Sequence, residues 1–128
     1  MILIDSSAWI QALREPNSIV FRRTEEIIEQ EACTCGVIIQ EVLQGIHDLK
    51  VLKEIRMRFW TLPYLETTRE TYVAAAHLFQ RCRSRGIQVH TVDTLIMALA
   101  IQHTVPVFAV DADFVRVASM EPDLRLYP

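Results

Sequence analysis

Basic charge, glycine, cysteine and long apolar runs are all scarce in this chain, and each shortage removes a class of function. Thirteen Lys and Arg stand against 16 Asp and Glu, a net charge of -3. A chain that holds nucleic acid by bulk electrostatics carries a strong basic excess, and this one has none. Its three glycines, Gly36, Gly45 and Gly86, do not space into a P-loop, a G-x-G-x-x-G turn or a nucleophile elbow, so nucleotide cofactors and hydrolase-elbow chemistry lack their loops. Cys33, Cys35 and Cys82 are odd in number and fit neither a disulfide framework nor the common zinc spacing; His47, His77, His90 and His103 form no ligand pair. No apolar run nears the ~18 residues of a membrane span, and the opening Met1-Ile2-Leu3-Ile4-Asp5 lacks the cations of a secretory signal. The expectation is a soluble, cytoplasmic protein with no membrane contact.

What the chain has in abundance is core. Hydrophobic residues make up 51% of its 128 positions, enough for one domain spanning residues 1–128 without staples. Short apolar runs alternate with longer segments of helical period, the pattern of an α/β domain with a mostly parallel sheet buried on both faces. Strands are expected at 2–4, 32–34, 62–65, 105–110 and 124–127, with Pro63 confining the third to an edge. Helices are expected at 6–14, 19–31, 37–47, 68–85, 92–103 and 114–119, with 48–60 a further helix or a helical hairpin. Segment 92–103 is apolar on nearly every side and should lie at the centre. Gly86 follows the basic end of helix 68–85, where Arg81, Arg83 and Arg85 suit the C-terminal dipole or form a local phosphate-contacting patch. The stripe Leu49, Leu52, Ile55 and Phe59 faces either the helix's own core or a partner.

Four carboxylates stand where stability alone does not require them. Asp5 and Asp111 each follow an apolar strand, and ligand sites in open α/β sheets lie beyond the carboxyl ends of strands. Asp93 opens the buried helix. Glu41 lies on the boundary between the apolar and polar faces of helix 37–47, one turn before Gly45. Each Asp alone is also a good helix cap. Converging on one sheet edge, the four would repel one another and raise each other's pKa unless a cation neutralised them. Carboxylates without His or Cys select Mg²⁺ or Mn²⁺ over zinc, and such a site suits activation of water for attack on a phosphodiester.

These residues resemble the PIN-domain family, and within it the VapC-like ribonuclease toxins of type II toxin-antitoxin pairs. The resemblance runs the length of the chain through Ile2-Leu3-Ile4-Asp5-Ser6-Ser7, Glu41-Val42-Leu43-Gln44-Gly45, Asp93-Thr94-Leu95-Ile96-Met97-Ala98 and Val110-Asp111-Ala112-Asp113-Phe114. It implies a PIN-like α/β/α sandwich with about four or five strands, and an acidic quartet of Asp5, Glu41, Asp93 and Asp111 that binds Mg²⁺ or Mn²⁺ and cuts RNA. Ser7 matches a hydroxyl residue that supports the first Asp. Ala109 stands where a Thr or Ser is common, which leaves Asp113 as a second candidate for the fourth acid, or as a cap for the last helix. The resemblance also implies an RNA substrate, a cognate antitoxin and a homodimer.

Three other readings compete. Phe108 to Val115 satisfies the motif of haloacid dehalogenase phosphatases, but that motif opens its domain and here too little chain follows. A receiver-like Mg²⁺-binding signalling domain wants paired acids after the first strand, where this chain has Asp5-Ser6-Ser7. A PIN-like binding module without nuclease activity would tolerate loss of Asp5 or Asp93.

Overall fold

The computed structural model describes residues 1–128. Ile2–Ile4 forms β1, and α1 (Ser6–Arg14) and α2 (Ile19–Gln30) follow it; β2 is Ala32–Cys33, and α3 (Gly36–Gln44), α4 (Leu49–Trp60), α5 (Arg69–Ser84) and α6 (Thr91–His103) precede β3 (Val107–Phe108) and α7 (Ala112–Met120). All pairing is parallel in the order β2-β1-β3, with Leu3 opposite both Cys33 and Val107. The chain thus winds from β1 to one side and later returns to the other. That reversal puts the carboxyl end of β1 at a switch point, where α/β sheets open a crevice.

The sheet has three strands instead of the four or five expected. Segments 62–65 and 124–127 each meet it at one parallel bridge, Thr34 to Tyr64 and Val107 to Leu126. Pro63 has no N–H, so it can only accept from the Thr34 N–H (3.0 Å) before Leu65 donates back to Thr34 (2.8 Å). Val107 donates to Arg125 (2.9 Å) and accepts from Tyr127 (2.8 Å). β3 is shorter than its apolar run because the Val105 N–H closes the end of α6 on Ala100, Pro106 has no donor, and the Val110 N–H turns away to Ser7 Oγ at 3.2 Å.

The core joins the sheet to the helices. Leu3, Ile4, Ile38, Ile96 and Met97 are completely enclosed, and Trp9 meets Phe59 with ring centroids 4.5 Å apart. α1 packs on α2 and α3, and α5 packs on α6. Of the stripe on α4, Ile55 and Phe59 are buried while Leu49 is exposed. α5 stops where expected: Gly86 takes φ +73°, and the N–H groups of Gly86 and Ile87 close on Arg83 and Cys82. No helix is long and apolar enough to cross a membrane.

Candidate active site

The three aspartates arrive at the site because of their places at element ends, whereas Glu41 comes from within α3. Asp5 leaves β1 and caps α1, its Oδ2 accepting from the Ser7 N–H (3.1 Å) and the Ser7 hydroxyl (2.5 Å). Asp111 leaves the β3 side and caps α7 by accepting from the Asp113 N–H at 2.9 Å. Asp93 sits in the first turn of α6 and reaches back to the His90 N–H at 3.2 Å. Capping and site formation are therefore one arrangement: a helix N-terminus turns the carboxylate inward and its free N–H groups hold it.

Asp5, Glu41, Asp93 and Asp111 line one pocket of about 460 Å³, together with Ser6, Ser7, Ile10, His90 and Val92. Glu41 projects from α3 and accepts from Ser6 Oγ at 2.8 Å. Ser7 Oγ donates to Asp5 and accepts from the Val110 N–H, so one hydroxyl ties the end of β1 to the segment that carries Asp111. Asp113 does not line this pocket but stands at its rim, its carboxylate within 4.8 Å of a ligand atom of Asp93. It is ion-paired with Arg116 and lines the neighbouring cleft, whereas Asp111 faces the other acids.

Electrostatically the pocket is under strain. Asp5 is 2% exposed, and burial pushes its carboxyl up from 3.8 to about 6; the two hydrogen bonds from Ser7 oppose this, and repulsion from Asp93 and Glu41 adds to it. Asp5 Oδ1 is buried with no hydrogen-bond partner. A carboxylate oxygen enclosed among three other acids and left without a donor fits a cation, and an all-oxygen donor set fits Mg²⁺ or Mn²⁺. His90, Asp93 and Asp113 also bring ligand atoms within 4.8 Å of one another at the rim, where His90 Nδ1 lies 3.2 Å from Asp93 Oδ2. The cysteines take no part: all three are buried, and burial pushes the Cys33 thiol up to about 11.

Of two neighbours of the acids, Ser6 carried little signal in the sequence, whereas the place of His90 just ahead of Asp93 already suggests the mouth of the site, which it lines. Ser6 reads as an ordinary first-turn serine, and only the approach of α3 shows that it holds Glu41. His90 precedes the α6 motif, but its side chain's position between two clefts depends on where α5 ends.

An acidic pocket at the carboxyl edge of a reversing parallel sheet defines the class, and residues 2–120 match the model of the PIN domain. The chain belongs to the PIN-domain family. It is 34% identical over 119 residues to a VapC ribonuclease of Mycobacterium bovis and to ribonuclease VapC11 of Mycobacterium tuberculosis, covering 89% of each chain in both comparisons. Its fold is similar to that of VapBC from Salmonella typhimurium, with a TM-score of 0.78 at 15% identity over 98% of this chain and 96% of that one. A toxin-antitoxin complex from Klebsiella pneumoniae gives 0.74 at 15% identity over 97% and 95%.

Proposed function

We propose that this protein is a metal-dependent endoribonuclease that hydrolyses RNA phosphodiester bonds, and that it is the toxin of a type II toxin-antitoxin pair. Support for the RNA chemistry comes from relatives named as ribonucleases, and support for a protein antitoxin from similar folds solved as toxin-antitoxin complexes. The observation that carries the metal reading is Asp5 Oδ1, buried and unpartnered beside three further carboxylates. Asp5, Asp93 and Asp111 would hold Mg²⁺ or Mn²⁺, with Glu41 as a further ligand or as the group that orients water. When bound, the ion supplies Lewis acidity toward the phosphodiester and activates water.

The protein's own groups do the positioning. Ser7 fixes Asp5 Oδ2 and leaves the buried Oδ1 without a donor. Ser6 fixes Glu41 Oε1, so the second Glu41 oxygen is the one available to ligand or water. Asp93 is held by the His90 N–H and Asp111 by its own helix. Attack by water needs no 2′-hydroxyl nucleophile and leaves a 5′-phosphate and a 3′-hydroxyl. The protein acts in this reading as a homodimer in the cytoplasm, restrained there by its antitoxin.

The test is cleavage of a fluorescent panel of tRNA and single-stranded RNA by antitoxin-free protein with Mg²⁺, Mn²⁺ or EDTA, beside Asp5→Asn. Metal-dependent cutting that disappears in the variant is expected. The absence of both cutting and Mn²⁺ binding would overturn the proposal in favour of a binding module.

A further inference from the structure

A cleft of about 620 Å³ adjoins the acidic pocket, lined by Phe79, Arg83, Gln88, His90, Asp113 and Arg116 among others. His90 lines both spaces and stands 86% exposed between them. Resting on the ribonuclease reading, we propose that this cleft is the subsite that holds the RNA strand beside the cleaved bond, with Arg83 and Arg116 contacting its phosphates.

Charge requires such a subsite. The acidic pocket is lined by four carboxylates and by no Lys or Arg. A cation there compensates the phosphate being cleaved, but the next phosphates along the strand face an anionic wall unless other positive groups receive them. Arg83 is suited to this. It forms no ion pair and lies over the Phe79 ring, 5.2 Å from the centroid, while its neighbour Arg81 is committed to Glu121 at 3.2 Å. A guanidinium stiffened against an aromatic ring keeps its donors ordered for phosphate and presents a flat face to a base. Arg116 is oriented by Asp113 and remains 58% exposed, so its pairing leaves donors directed to solvent. Gly86 ends α5 at the cleft's edge, and open space surrounds the position where its Cβ would stand.

One other cation lies near the acids. Arg14 lines a smaller space of about 410 Å³ that shares Ser7 and Ile10 with the acidic pocket. Two arginines and the larger volume favour the Arg83 side, and Arg14 is the internal comparison.

The probe is a fluorescein-labelled, single-stranded 12-nucleotide oligouridylate, followed by anisotropy in EDTA across a KCl series; phosphate contacts are independent of base sequence, so the natural RNA is not needed. Wild type is compared with R83E, R116A and R14E, each checked for folding by circular dichroism. R83E is expected to weaken binding about tenfold at low salt and to flatten the salt slope by about 0.7 for each lost phosphate contact. R116A should do the same to a smaller degree, R14E should stay within about twofold, and Mn²⁺ affinity by calorimetry should be unchanged in R83E. Binding by R83E and R116A equal to wild type, or a larger loss in R14E, would overturn the subsite. Mn²⁺-dependent cleavage of the tRNA panel is followed in parallel. Cleavage with unaltered binding in R83E removes the subsite alone, whereas no wild-type cleavage and no wild-type binding removes the ribonuclease reading with it.

Discussion

Asp5 concentrates the conflict between folding and function in one side chain. Its carboxyl is raised to about 6 from 3.8, so between these values the folded chain binds the proton more tightly than the unfolded chain does. Stability should therefore fall as pH rises through that window and level off above about 6, a loss of about 3 kcal/mol if the full shift is expressed. Asp5→Asn keeps an oxygen for the Ser7 donors and removes the charge. In EDTA at pH 7.5 it should melt above wild type, the gap should close toward pH 4, and RNA cleavage should be lost; a lower melting temperature at pH 7.5 would refute the strain. Ser6→Ala removes the bond that holds Glu41 Oε1, and groups that orient ligands contribute roughly 10- to 100-fold. Cleavage at saturating Mn²⁺ should fall by that amount with the fold intact, read by kinetics beside a melting curve.

Helix ends explain most of what the elements do here. Asp5, Asp48 and Asp111 each cap a helix with their side chain, and α6 opens with a reciprocal pair between His90 and Asp93. α6 closes less comfortably. Thr104 takes φ 55° and ψ 46°, a left-handed conformation that β-branched residues resist, with its N–H bonded to Ile101. Thr104→Gly should gain about 1 kcal/mol in a denaturant titration, because glycine adopts that conformation without the Cβ clash. Gly86→Ala is the opposite case. Nothing crowds its Cβ, so the expected loss of about 1–2 kcal/mol would come from backbone conformation alone.

At the scale of the whole molecule the ion site proposed above would couple folding to ion binding. A cation that binds only the folded chain stabilises it, so Mn²⁺ at about 100 times its dissociation constant should add ~2.7 kcal/mol and raise the melting temperature by roughly 10 °C. Asp93→Asn should abolish most of that rise, while an exposed acid remote from the pocket, such as Glu54, should be replaceable by Gln without effect. Thermal scans with and without EDTA decide this. The buried thiols give a second global readout: native protein should resist a thiol reagent at all three cysteines and react at all three once denatured.

Much of the fold was legible because it is local. Apolar runs buried on both faces marked β1 and β2, Gly86 marked the end of α5, and the apolar circumference of α6 marked a central helix. The outer segments 62–65 and 124–127 were overestimated as strands, since Pro63 marks an edge but the sequence cannot report that each segment meets the sheet at a single bridge or that β3 offers only two residues to pair with. For the candidate site, the sequence by itself determined the residue types: caps at strand ends are carboxylates, and their chemistry follows from charge. Tertiary structure alone decided their company. It brought Asp5 and Asp111 together through Ser7 Oγ, seated Glu41 on Ser6, drew Asp113 aside to Arg116, and set Arg83 in a cleft that shares His90 with the acids. The reason is range: a cap is made within three or four residues, whereas a pocket forms only when the sheet has reversed and carried residues about a hundred positions apart to one edge.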